Sequence, residues 1–333
     1  MKIAVIGAGS WGTAIANLIA NNGHNVSLWC RRGEVAHAIN TQHKNPDYLK
    51  EYELHNDVVA TTSLTDALAN ASAAVVVTPS KLARGTARAF SGLVDSSFPI
   101  VILSKGVEDV TGMLPVEVFQ DELGNPDRLA ALCGPTHAEE VIHGVPSATV
   151  VASPNLETAQ LFCDVFASDV FRVYTSDDVT GVELCAAFKN VIAIAVGISY
   201  GLGYGDNTAA MLMTRGLAEM GRLVAKAGGN SMTCLGLAGA GDLIVTCTSQ
   251  HSRNRRFGER AAQGQTVAQF EAEEHMIAEG ALACKTLDTL SKKYQVELPI
   301  ADAVRSIVWD GVDAREVAKG LVSRPLKSEF YGM

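Results

Sequence analysis

The sequence predicts an α/β fold, a doubly wound amino-terminal domain followed by an all-α domain, on three observations. Short β-rich runs alternate with helical patterns in the first half. Helical patterns then succeed one another with almost no strand signal. At 333 residues, the chain also exceeds what one ordinary core organises. Hydrophobic residues at 47% and charged residues at 19% exclude a disordered or collagen-like chain.

Ile3–Ile6, Asn25–Trp29, Ala73–Val77, Ile100–Leu103 and Ala148–Ala152 read as strands. Several lack a polar face, as in a parallel sheet covered by helices on both sides. Between the first two, Ile15, Leu18 and Ile19 share one face of a helix over Trp11–Asn22, and Gly23 is placed to end it. Strand, helix and strand in succession form a βαβ unit, and its repetition builds a doubly wound sheet. Thr180–Ser199, Ala209–Ala227, Val267–Glu279, Ala281–Tyr294 and Ala301–Asp310 read as helices. The boundary falls between Tyr174 and Cys185, dividing the chain into domains 1–180 and 181–333. A helical domain packed on the first is expected to leave a cleft where a ligand binds.

The formal net charge of -9 makes nucleic acid an unsuitable partner, although a local basic pocket for a small anion remains open. The 7 cysteines form no CxxC pair and no cluster with metal-ligand spacing, so no metal is expected and the thiols read as reduced in a cytoplasm. Four apolar residues before the first glycines are too few for a signal-peptide core. The apolar stretch Val191–Tyr204 carries three glycines and reads as too short to span a membrane.

Gly7-Ala8-Gly9-Ser10-Trp11-Gly12 fits G-x-G-x-x-G between a strand and a helix, the dinucleotide fingerprint of a Rossmann-like domain. Gly7 permits the tight turn, Gly9 a close approach to pyrophosphate, and Gly12 close packing of helix on strand. Where an NAD-preferring chain carries an acid for the ribose, this one reads Trp29-Cys30-Arg31-Arg32. Arg31 and Arg32 suit a 2′-phosphate, so NADPH is expected to be preferred with NADH usable; the alternative is a pair of solvated loop arginines.

Lys189 lies in Cys185-Ala186-Ala187-Phe188-Lys189-Asn190-Val191, a helix apolar nearly all round. Cys185, Ile192, Ala193 and Val196 at helical spacing offer it no counter-charge. Desolvation is expected to lower its pKa and suit it to general acid–base work, unless it is a structural lysine paired to an unseen carboxylate. Lys105, in Ser104-Lys105-Gly106, follows a strand at the carboxyl edge where open sheets bind ligands. Gly134 and Thr136, after the apolar run Leu129–Leu132, offer backbone and hydroxyl donors or a bare turn. Gly236–Asp242 reads as a close backbone turn between helices, with Asp242 a candidate to face the cleft. Ser252-Arg253-Asn254-Arg255-Arg256 reads as an anion pocket for phosphate or as a solvated basic helix start.

These segments, with Thr214–Met220 and Gly241-Asp242-Leu243, resemble the soluble bacterial NAD(P)-dependent glycerol-3-phosphate dehydrogenases over essentially the whole chain. The resemblance implies NAD(P)H-dependent reduction of dihydroxyacetone phosphate to sn-glycerol 3-phosphate, supplying phospholipid synthesis, with Lys189 as proton donor and acceptor. It implies substrate contacts from Lys105, Gly134, Thr136, Asp242, Ser252, Arg253 and Asn254. Cofactor contacts fall on Ser10, Trp11, Arg31, Tyr48, Lys105, Ala138, Arg253, Ile277 and Glu279. Thr136 replaces the family's frequent serine and keeps its hydroxyl. The family implies a cytoplasmic homodimer without a membrane partner. Two other readings stay open: an NADP-linked reductase of the 6-phosphogluconate or ketopantoate type, and a nucleotide-sensing protein without turnover.

Overall fold

The structure is a computed structural model describing residues 1–250, 252–274, 279–329 and 331–332. Every run read as a strand enters one sheet of eight: β1 (Lys2–Ile6), β2 (Asn25–Trp29), β3 (Val58–Thr61), β4 (Ala73–Val76), β5 (Ile100–Ile102), β6 (Leu129–Cys133), β7 (Ser147–Ala152) and β8 (Phe171–Ser176). The order is β3-β2-β1-β4-β5-β6-β7-β8. All neighbours run parallel except β6 and β7. Strands β3 and β8 have no separate signal in the sequence. In β3 only every second residue is buried, and β8 is an edge strand burying little beyond Phe171.

Helices α1 (Ser10–Asn21), α2 (Gly33–Gln42), α3 (Leu64–Leu68), α4 (Ala83–Phe90), α5 (Pro115–Leu123), α6 (Ala138–Ile142) and α7 (Leu156–Phe166) join the strands. Ile15 and Ile19 of α1 and Phe162 and Phe166 of α7 press on Ile3, Val5, Val75 and Val101 in one buried cluster. The chain leaves β1 toward β2 and β3 on one side and resumes at β4 on the other. The carboxyl ends of β1 and β4 are therefore the switch point where such sheets bind nucleotides.

Contacts divide the chain into two compact units, Met1–Lys105 with Pro115–Val179, and Gly106–Leu114 with Thr180–Met333. Thus the segment after Lys105 belongs with the second unit, an excursion that a single boundary near residue 180 does not contain. The second unit holds α8 (Val179–Gly201), α9 (Asp206–Lys226), α10 (Asp242–Thr248), α11 (Arg253–Ala261), α12 (Val267–Glu274), α13 (Glu279–Tyr294), α14 (Pro299–Asp310) and α15 (Ala314–Val322). Helix α8 has the length and composition to cross a membrane, and its apolar window is fully buried. It is longer than the stretch Val191–Tyr204 because Glu183 and Lys189 are buried in it as well. Helices α8 and α11 cross almost backbone to backbone. A methyl at Gly197 would stand 2.0 Å from Arg255 O, and one at Gly258 would stand 2.2 Å from Ile194 O. All seven cysteines are buried without disulfides. Burial pushes the Cys163 and Cys247 thiols up to about 11 and about 12.

Glu219, within Thr214–Met220, is 3% exposed and accepts the Ile300 N–H at 2.8 Å, at the start of α14. Its second oxygen is buried and makes no hydrogen bond among the described residues. Burial raises its pKa to about 8, against the opposing pull of the Ile300 and Ala301 N–H groups and Arg222; Asp302 adds to the rise. Between the usual carboxylate range and about 8 the folded chain keeps a proton that the unfolded chain releases. This group therefore erodes stability as pH rises through that window. Relative to wild type, Glu219→Gln should gain melting temperature between pH ~5 and about 8 in calorimetry and level off above that; a constant difference across the window would contradict the assignment.

Candidate functional site

In the first unit the glycine loop has the geometry its sequence promised. Gly7 sits at φ +121°, a region closed to most side chains, and its N–H donates to Trp29 O at 3.0 Å. A methyl on Gly12 would lie 1.8 Å from Gly7 O, so only glycine lets α1 start against β1. Gly9 is the N-cap of α1 and supplies no side-chain cap, and a methyl there would meet nothing within 4 Å. Open space lies in front of backbone donors that lack a side-chain acceptor, in a first turn with no acidic residue. Ser10 opens α1, and Trp11 packs partly against the sheet core. These features fit a dinucleotide pyrophosphate.

At the end of β2 the two arginines separate. Arg32 is ion-paired to Asp47 and lies 3.8 Å from Glu34. Arg31 is exposed and, among the described residues, makes no side-chain hydrogen bond or ion pair. The Tyr48 N–H donates to Asn45 Oδ1, and Asn45 donates to Ala8 O and Thr13 Oγ1. The tyrosine's segment is therefore tied to the glycine loop through a residue that the sequence reading passed over.

Lys105 follows β5, and Gly134 with Thr136 follows β6, whose turn leads to Ala138 at the first position of α6. Strands β1, β4, β5 and β6 are parallel neighbours, so the glycine loop, Lys105 and Gly134 all lie along one carboxyl edge. The Thr136 hydroxyl donates to Gly134 O at 3.2 Å and closes that turn.

In the second unit Lys189 is 6% exposed. Its ammonium donates to Asp242 Oδ1 at 2.5 Å and to Thr246 Oγ1 at 2.8 Å. The expectation of an amine with no counter-charge is corrected by Asp242, 53 residues further along, which is itself 2% exposed. Spacing along α8 cannot register a partner delivered by another helix. The glycine run delivers it: Leu237–Gly241 forms a π-helical turn that opens directly into α10 at Asp242. Thr246, one turn on, donates to Asp242 O and accepts from Lys189.

The basic run resolves into separate roles. Ser252 caps α11 by accepting the Arg255 N–H. Arg255 binds Glu259 and Thr248 O, and Arg256 pairs with Glu274. Arg253, half-buried at the first turn of α11, makes no side-chain hydrogen bond or ion pair among the described residues. Asn254 donates to Asn190 Oδ1 at 3.0 Å and accepts the Gly280 N–H, which links α11 to the residue after Lys189 and to the start of α13. Glu279 stands at that start, while Ile277 lies outside the described residues. Thr246 stands just before the basic run, where its hydroxyl reads as part of an anion pocket, and instead binds Lys189; Asn190 sits in a stretch that reads as apolar nearly all round, which hides its bond to Asn254.

The family model for the amino terminus of NAD-dependent glycerol-3-phosphate dehydrogenase matches residues 2–159, and that for its carboxyl terminus matches residues 178–319. The chain is 44% identical over 331 residues to glycerol-3-phosphate dehydrogenase [NAD(P)+] of Chlorobium luteolum, covering 99% of each. It superposes on the crystal structure of glycerol-3-phosphate dehydrogenase from Coxiella burnetii with a TM-score of 0.92 at 36% identity, covering 97% of this chain and 99% of that one. A ketopantoate reductase from Ralstonia eutropha, at 18% identity and a TM-score of 0.61 over 96% of this chain and 99% of that one, shares the fold alone. With both of its units matched, the chain belongs to the NAD-dependent glycerol-3-phosphate dehydrogenase family.

Proposed function

We propose that this protein catalyses the reversible NAD(P)H-dependent reduction of dihydroxyacetone phosphate to sn-glycerol 3-phosphate. One observation carries the reading: a buried lysine held by Asp242 and Thr246, in the same unit as Arg253, which has no side-chain partner among the described residues. The nicotinamide, when bound, supplies the hydride. Lys189 gives a proton to the ketone oxygen as the new C–H bond forms, and in the reverse direction takes it back from the hydroxyl. Asp242 and Thr246 hold the amine in one place, so that the proton it transfers comes from a fixed position. Arg253 and the first turn of α11 bind the phosphoryl group and hold the reacting carbon in place.

Gly7–Gly12 binds the dinucleotide, with Arg31 and Arg32 favouring the 2′-phosphate of NADPH. Arg31 has no side-chain acceptor among the described residues, whereas Arg32 is shared with Asp47. The Arg31→Ala, Arg32→Ala double variant should lower the NADPH/NADH ratio of kcat/KM by about tenfold or more, since charge-assisted bonds to phosphate are lost. An unchanged ratio would remove both arginines from cofactor choice. The enzyme works in the cytoplasm as a homodimer on a small phosphorylated ketone, with no nucleic acid or membrane partner. Exposed Met232, Leu235 and Ile244 supply apolar surface for a second copy.

The deciding test follows reduced-nicotinamide absorbance side by side, as loss with dihydroxyacetone phosphate or ketopantoate and NADPH and as gain with 6-phosphogluconate and NADP+. Turnover with dihydroxyacetone phosphate well above the others is the expected result. Turnover confined to another substrate, or cofactor binding without oxidation under any ketone, would overturn it.

A further inference from the structure

We propose that Asn45 is a positioning residue for the dinucleotide, aiming the Gly9 peptide N–H and tying the phosphate loop to the segment that holds Arg32. The inference rests on Gly7–Gly12 being the dinucleotide loop. Asn45 is 1% exposed in the connection after α2, far in sequence from the loop it touches. Its Nδ2 donates to Ala8 O at 3.0 Å and to Thr13 Oγ1 at 2.8 Å. Its Oδ1 accepts the Asp47 N–H at 3.0 Å and the Tyr48 N–H at 3.2 Å. Ala8 O can only accept and the two backbone N–H groups can only donate, so the carboxamide has one admissible orientation.

The consequence lies in the peptide between Ala8 and Gly9. No peptide bond in the described chain is cis, and in a planar trans peptide the carbonyl and the N–H point in opposite directions. Fixing Ala8 O against Asn45 therefore turns the Gly9 N–H away from Asn45. Gly9 is the residue whose missing side chain leaves open space, at a helix start with no side-chain cap. The bond to Thr13 fixes the first turn of the same helix. At its other end the carboxamide holds Asp47, the acid paired with Arg32, and the backbone of Tyr48. One side chain thus couples the pyrophosphate donors to the arginine at the end of β2, and a carboxylate in its place has no hydrogen to offer Ala8 O.

Asn45→Asp and Asn45→Ser in the full-length protein test this by titration calorimetry with NADPH, alongside thermal melts and steady-state kinetics. With two donated bonds lost, the NADPH Kd and KM should rise by about tenfold or more. Turnover at saturating NADPH and the KM for dihydroxyacetone phosphate should stay within about twofold, a split that a merely structural loss would not produce. A folded variant whose NADPH Kd stays within about twofold of wild type overturns the role of Asn45. Failure of the wild-type protein itself to bind NADPH removes the loop reading instead. If neither variant folds, the wild type decides: saturation with NADPH should shift both the Asn45 side-chain amide and the Gly9 amide resonances, and an unmoved pair overturns the proposal.

Discussion

Lys189→Met is expected to lower turnover with dihydroxyacetone phosphate by about 10²- to 10⁴-fold, the usual contribution of a positioned proton donor. Methionine keeps most of the volume that α8 packs around and removes the transferable proton. NADPH affinity should survive, because the glycine loop and the arginines after β2 belong to the other unit. The comparison needs rates at saturating NADPH and substrate, with cofactor affinity measured separately by calorimetry. Retention of more than about a tenth of wild-type turnover would take Lys189 out of the proton step.

The second large effect falls on stability. Asp242→Ala removes the carboxylate from an ammonium that is 6% exposed and that also donates to the Thr246 hydroxyl. Breaking one side of such a pair costs about 3–5 kcal/mol, enough to lower the melting temperature by roughly 10 °C. The penalty comes from an uncompensated charge, so removing both charges should restore much of it. The Lys189→Met, Asp242→Ala double variant should melt well above Asp242→Ala alone, with a coupling of about 1–3 kcal/mol in the cycle built from the two single variants. A double variant that simply sums the two single losses would mean that the pair does not act as a unit.

Legibility in the sequence followed the range of each interaction. Strands β1, β4 and β5 announced themselves because both faces are apolar, β2 by Val26 and Leu28 alternating with Asn25 and Ser27, and α1 because its stripe and terminating glycine are local. Strand β8 did not, since Phe-Arg-Val-Tyr-Thr-Ser alternates only weakly at an edge that needs little burial. In the site, Lys189 was visible as a charge in an apolar helix, while its tie to Asp242 was not, because periodicity reports one helix at a time. Of the basic run, composition indicated an anion site. Only the fold separates Arg253 from Arg255 and Arg256, which are occupied by carboxylates. Asn45 was silent for the same reason: a polar residue in a connection reads as solvent-facing until its distant partners are known.

The reversed direction of β7 sets a limit on how this architecture can diversify. Cys133 at the end of β6 pairs with Val150, and β8 follows β7 in parallel, so both later strands send their carboxyl ends to the opposite rim. Thr149 of β7 also fills the flank of the β6 turn, with its Cα 2.8 Å from where a methyl on Gly134 would stand. The row of ligand-facing turns thus has a terminus, and strands added past it contribute none. A change in the reach of that rim in this chain therefore falls to the crossover segments between β1 and β6, such as the stretch bearing Asn45, rather than to strands past β7.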